Sequence, residues 1–98
     1  MKIITVCGSF KYIEEMMKTS EKLCLEGNCV LSPMYPINGK KYSDEDKKIL
    51  GQIHLERIKI SDAIVVINVD NYIGEATMKE IDFAKSLGKE IIYYTDIN

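Results

Sequence analysis

The sequence has no tryptophan, one histidine, two prolines and three cysteines. Cys7, Cys24 and Cys29 are odd in number and lack paired C-x-x-C spacing. That argues against a disulfide scaffold and against a zinc site; no metal or other cofactor is expected, since carboxylate and proton transfer alone serve the chemistry considered below. The thiols read as reduced and mostly buried, as in a cytoplasmic protein. No apolar run approaches the ~18–20 residues that cross a bilayer. Met1–Val6 is too short an apolar run for a secretion signal and leads straight into a glycine turn. There is no surplus of positive charge: the net charge is −2, which gives no general pull toward a nucleic acid polymer or an anionic membrane. A G-x-G-x-x-G fingerprint and a Walker loop are absent, as are repeats, linkers and low-complexity segments. What remains is 98 residues at 46% hydrophobic content, enough for one globular domain over residues 1–98.

That domain is organised around Ser61–Ile81. Ala63–Val69 is apolar and mostly β-branched, as suits a strand covered on both faces. A polar loop follows and then a helical pattern. Ligands of open α/β sheets sit beyond the carboxyl ends of the strands, so Asn68–Glu80, with Asn68, Tyr72 and Gly74, is expected to line a site.

Taken in order, Lys2–Cys7 is the first strand, broken by Gly8. Ile13, Met16, Met17, Ser20, Leu23 and Cys24 recur at helical spacing, and Gly27-Asn28 ends that helix. Cys29–Leu31 is a short second strand, and the prolines and glycine of Ser32–Gly39 make a loop. Ser43 is placed to cap a second helix carried by Ile49, Leu50, Ile53, Arg57 and Ile60. A third helix shows the stripe Met78, Ile81, Ala84 and Leu87, with Gly88 at its end, and Ile91–Tyr94 is the last strand. Helical segments between strands force parallel pairing through right-handed crossovers. The expected fold is a three-layer α/β domain of the Rossmann or flavodoxin-like kind, with a parallel four-stranded sheet in the order 2-1-3-4. The Gly8 turn and the Asn68–Glu80 loop then meet at one crevice.

Three features carry candidate chemistry. Gly8-Ser9-Phe10-Lys11 offers backbone amides, a hydroxyl and a cation to a phosphate, although any strand-to-helix turn favours such residues. Thr77-Met78-Lys79-Glu80 fits a capping box, yet a carboxylate near the start of a helix beside an anion pocket can also attack a sugar carbon. His54 falls beside the core stripe of the second helix; it is a packing residue or, facing the crevice, a proton shuttle. Asp62 starts the third strand at its amino end, away from the crevice.

These pieces together resemble the nucleoside 2-deoxyribosyltransferase family, which includes deoxynucleoside 5′-monophosphate N-glycosidases. Val6-Cys7-Gly8-Ser9-Phe10-Lys11 is similar to the family's opening strand and turn, and Ser61–Val66 to its third strand. Thr77-x-x-Glu80-Ile81-x-Phe83-Ala84 with Leu87-Gly88-Lys89 resembles its helix pattern. The resemblance implies that Glu80 attacks the anomeric carbon of a 2′-deoxynucleoside and that Gly8, Ser9, Lys11 and Thr77 hold a 5′-phosphate. His54 stands where the family has an aspartate that handles the leaving base, and Asp82 where it has glycine. The expected partner is a small nucleoside or nucleotide. The alternative is a non-catalytic nucleotide or sugar-phosphate binding protein of the same fold. A homodimer is expected as well, through Ile58, Ile73 and Phe83, because a small four-stranded domain leaves helix faces thinly covered.

Overall fold

The computed structural model describes residues 1–98, the side chain of Asn38 apart. Four parallel strands, β1 (Ile3–Cys7), β2 (Cys29–Leu31), β3 (Ala63–Val66) and β4 (Glu90–Tyr93), lie in the order β2-β1-β3-β4. The expected topology is therefore the observed one. Between the strands run α1 (Ile13–Leu25), α2 (Asp44–Ile60) and α3 (Glu75–Ser86), and a single turn, α4 (Tyr94–Ile97), follows β4. Side chains alternate across each strand, which splits the core into two layers. Ile4, Val6, Ala63, Val65 and Ile67 meet Met16 and Leu23 of α1, with Tyr94 and Ile97 of α4 at the margin. Cys7, Ile64 and Val66 meet Ile58 of α2 and Ile81 and Ala84 of α3.

Ser43 caps α2 as expected, its hydroxyl accepting from the amide of Asp46 at 3.1 Å. Gly88 ends α3 at φ +71, a left-handed conformation that only glycine adopts without strain. Asp62 joins the amino ends of β1 and β3: its carboxylate accepts from the Ile3 amide at 2.8 Å, and its own amide donates to the Ile3 carbonyl.

Several expectations are corrected. The buried stripe of α2 is His54 and Ile58, with Leu50 and Leu55 half-buried, whereas Ile49, Ile53 and Ile60 are 55%, 42% and 63% exposed. The helix carries two apolar stripes one residue apart, and periodicity alone does not say which one turns inward. Ile58 is consequently core and not available to a dimer surface. In α1 the inward residues are Met16, Thr19 and Leu23, while Met17 and Cys24 face outward. In α3 they are Thr77, Ile81 and Ala84, leaving Met78 and Leu87 exposed. Of the cysteines only Cys7 is buried; Cys24 and Cys29 are exposed and all three are free. β3 stops at Val66, three residues short of the apolar run, because Ile67 and Asn68 turn away into a 3-10 turn at Val69–Asn71. β4 starts one residue early, at Glu90, and Tyr94 already belongs to α4.

Candidate functional site

The order β2-β1-β3-β4 puts a switch point between β1 and β3, where the chain leaves the two strands in opposite directions. The two strand ends approach closely there. A Cβ on Gly8 would come within 3.1 Å of the Ile67 Cβ, and the Ile67 amide donates to the Cys7 carbonyl at 2.9 Å. A side chain at Gly8 would therefore have to push Ile67 back by a few tenths of an ångström.

A cavity of about 450 Å³ opens beyond this point on the α2 side. Gly8 and Phe10 form its floor at the end of β1, and Pro33, Met34 and Pro36 of the β2–α2 loop form an apolar wall. His54 and Glu80 close the deep end, with side chains 8% and 23% exposed. Lys40, Lys41, Lys47 and Arg57 line the rest, together with Tyr42, Leu50 and Gly51. The lining thus holds four cationic residues and one carboxylate in a chain whose net charge is −2. Among the described residues none of these four cations forms an ion pair. Such a wall concentrates anions. The sequence hides it, since Lys40, Lys41 and Lys47 look like solvated charges and Arg57 falls in the stripe expected to carry the second helix.

The deep end brings together residues far apart in the chain. Cys7 at the end of β1, His54 on the inward stripe of α2 and Glu80 in the second turn of α3 converge. The Cys7 sulfur lies 3.4 Å from His54 Nε2, and Glu80 Oε1 lies 3.6 Å from the same nitrogen. His54 Nδ1 is buried without a hydrogen-bond partner among the described residues. Burial, and next to it the Glu80 carboxylate, push the Cys7 thiol well above its ordinary value, so it is a neutral thiol at pH 7.

Glu80 is free to play this part because the capping-box expectation does not hold. Gly74 is the N-cap of α3, which puts Thr77 at the third helical position, buried, and Glu80 one turn further in. A carboxylate there is beyond reach of the N-cap amide and projects to the cavity instead.

The other expected residues lie outside the cavity wall. The Gly8 turn and the Asn68–Gly74 loop do meet, but side chains fill the junction: Lys11 Nζ sits 4.8 Å from the centre of the Tyr72 ring, and the Tyr12 and Tyr72 rings are 6.0 Å apart. The Ser9 hydroxyl accepts from the Lys11 amide at 3.2 Å, capping the 3-10 turn Phe10–Tyr12. Asn68 is buried, and its side-chain amide donates to the Thr95 hydroxyl and accepts from the Thr95 amide. Gly74 packs near the Tyr72 hydroxyl, 3.5 Å from where its Cβ would be.

No family model and no curated protein matches the sequence. Solved structures do. A 2-deoxyribosyltransferase from the psychrotolerant bacterium Bacillus psychrosaccharolyticus superposes with a TM-score of 0.72 at 23% identity, over 93% of this chain and 70% of that one. A 2-deoxyribosyltransferase from Leishmania mexicana gives a TM-score of 0.66 at 16% identity, over 96% of this chain and 64% of that one. The likeness is one of fold: the α/β domain is shared, and this chain spans less than two thirds of the Leishmania enzyme's length.

Proposed function

We propose that the protein cleaves the N-glycosidic bond of a 2′-deoxynucleoside 5′-monophosphate, or transfers the deoxyribosyl group, with Glu80 as nucleophile. The observation that carries this reading is the pairing of a single carboxylate at the deep end of the cavity with four cationic residues in its lining. The fold shared with two deoxyribosyltransferases supports the same chemistry. A glycosyl carboxylate splits one hard displacement at an oxocarbenium-like carbon into two easier ones. Glu80 attacks C1′, the bond to the base breaks, and the base leaves with the bonding electrons. His54, in contact with Glu80, hands a proton to the departing base and recovers it from the water or acceptor base that then displaces the carboxylate. Neither step needs a cofactor.

The phosphate would sit against the cavity's basic wall, chiefly Arg57 and Lys47, with Gly8 beneath, while Ser9 and Lys11 stay outside that wall. Thr77, Asn68, Gly74 and Tyr72 shape this end of the sheet from behind. Free thiols suit a reducing cytoplasm, and no helix is long and apolar enough to cross a membrane. The outward stripe of α2, Ile49, Ile53 and Ile60, replaces Ile58 as the surface for a homodimer, next to the half-buried Phe83 and Ile73.

Incubation with the deoxynucleoside monophosphates, followed by chromatography for free base, tests the activity. Release that disappears in Glu80→Gln supports it. Calorimetric nucleotide binding without any base release would instead make the protein a binding module.

A further inference from the structure

We propose that Cys7, His54 and Glu80 form a binding site for a borderline-soft divalent cation, zinc above all, whose fourth position opens into the cavity. The three side chains offer a sulfur, an imidazole nitrogen and a carboxylate oxygen, all within 4.8 Å of one another. Their spacing decides between two readings. Hydrogen bonds between nitrogen and oxygen run at about 2.7–3.2 Å, and the 3.6 Å from Glu80 to His54 is too long for one. Tetrahedral zinc, with bonds of about 2.0–2.3 Å, sets its ligand atoms about 3.3–3.6 Å apart. The 3.6 Å nitrogen–oxygen edge matches that figure, the 3.4 Å sulfur–nitrogen edge suits it as well as it suits a sulfur hydrogen bond, and the third edge lies within 4.8 Å.

Proton counting points the same way. His54 Nε2 faces both the thiol and the carboxylate, and one proton on it serves only one of them. With the proton on Nδ1, the Nε2 lone pair and the carboxylate face each other with nothing between them but the thiol proton. A cation at the centre, with the thiol proton released, satisfies all three atoms; thiolate and carboxylate together balance its two positive charges. Sulfur and imidazole ligands select zinc over magnesium or calcium, which want oxygen throughout.

The site is built for reversible occupation. Metal-bound histidines usually give their other N–H to an acceptor, and losing that support costs about 10–100-fold in affinity. His54 Nδ1 has no such acceptor among the described residues. If Glu80 is the nucleophile, as proposed above, the bound cation takes up the same carboxylate, so zinc occupation and glycosidic cleavage exclude one another.

Titration of the reduced, metal-free protein with Co2+ under anaerobic conditions tests the site. The expected result is a near-ultraviolet thiolate-to-cobalt band that Zn2+ bleaches. It is lost in Cys7→Ala, weakened more than ~10-fold in Glu80→Gln, and kept in Cys24→Ser/Cys29→Ser. No band, or a band that survives Cys7→Ala and vanishes with the exposed cysteines, overturns the proposal. These outcomes do not depend on catalysis: a protein that binds Co2+ in this way but releases no base keeps its cation site and loses only the enzymatic reading. Where base is released, Zn2+ at the concentration that bleaches the band should suppress it; undiminished release overturns the mutual exclusion.

Discussion

On the α1 side of the sheet, β1 and β3 present Ile4, Val6, Ala63 and Val65, and α1 covers them with Met16 and Leu23. On the α2–α3 side, the alternate residues of the same strands present Thr5, Cys7, Ile64 and Val66, beneath His54 and Glu80. β1 thus packs on one side and brings Cys7 to the cavity end on the other, while β3 is apolar on both. The polar members of the second face are tied in. Thr5 Oγ1 and Ser61 Oγ are 2.6 Å apart, and Ser61 donates to the Arg57 carbonyl at 2.7 Å. Toward the carboxyl end the match is looser: Cys7 and His54 share a sulfur–nitrogen hydrogen bond of 3.4 Å, but His54 and Glu80, at 3.6 Å, stand beyond one. The lesson is that the dry α1 face gathers aliphatic packing and isolated hydroxyls, with those of Thr19 and Tyr35 buried there without partners among the described residues, whereas the other face gathers a thiol, an imidazole and a carboxylate.

Substitutions on the two faces should separate activity from stability. The largest effect is expected on the polar face: Glu80→Gln should lower base release by ~10³-fold or more while the urea midpoint stays near that of the parent. On the dry face, Met16→Ala should cost about 2–5 kcal/mol in urea unfolding yet leave the rate per folded molecule almost intact. Equal losses of activity in both variants would break the division. Gly8→Ala lies between them, because its Cβ meets Ile67 at 3.1 Å. It should cost about 1–3 kcal/mol of stability and also raise KM, since Gly8 belongs to the cavity floor. Arg57→Ala should raise KM for a monophosphate about tenfold relative to the unphosphorylated nucleoside, roughly 1.4 kcal/mol. The smallest effect concerns the thiols. Native protein at pH 7 should give up Cys24 and Cys29 to a disulfide reagent and retain Cys7 until unfolded. Because the folded Cys7 holds its proton more tightly than an unfolded thiol, stability should decline as pH rises past the ordinary value of 9.0, and Cys7→Ala should flatten that decline.

The sheet was legible in the sequence because each strand is a short β-rich run bounded by glycine, proline or polar residues, and because helical segments leave only parallel pairing. Ser43 was legible as a cap because its neighbours Asp44, Glu45 and Asp46 are acidic. The facing of α2 was not, since Ile49-Leu50 and Ile53-His54 offer an apolar choice at adjacent positions, and the stripe that turned inward contains the histidine. The grouping of Cys7 with His54 and Glu80 was likewise hidden: it depends on the inward rotation of α2 and on α3 starting at Gly74 rather than at Thr77. The basic wall lay in a loop and on a helix whose lysines carry no periodic signal.

The pairing of Asn68 with Thr95 reaches further than its position near the chain's last turn suggests. Asn68 follows Ile67, whose side chain is wedged against Gly8 and whose amide is bonded to Cys7. Breaking the Asn68–Thr95 bonds therefore loosens the same short ladder that holds up the cavity floor. Amide exchange at Ile67 should quicken in Asn68→Ala, turning one side-chain pair into a gauge of how firmly the cavity is seated.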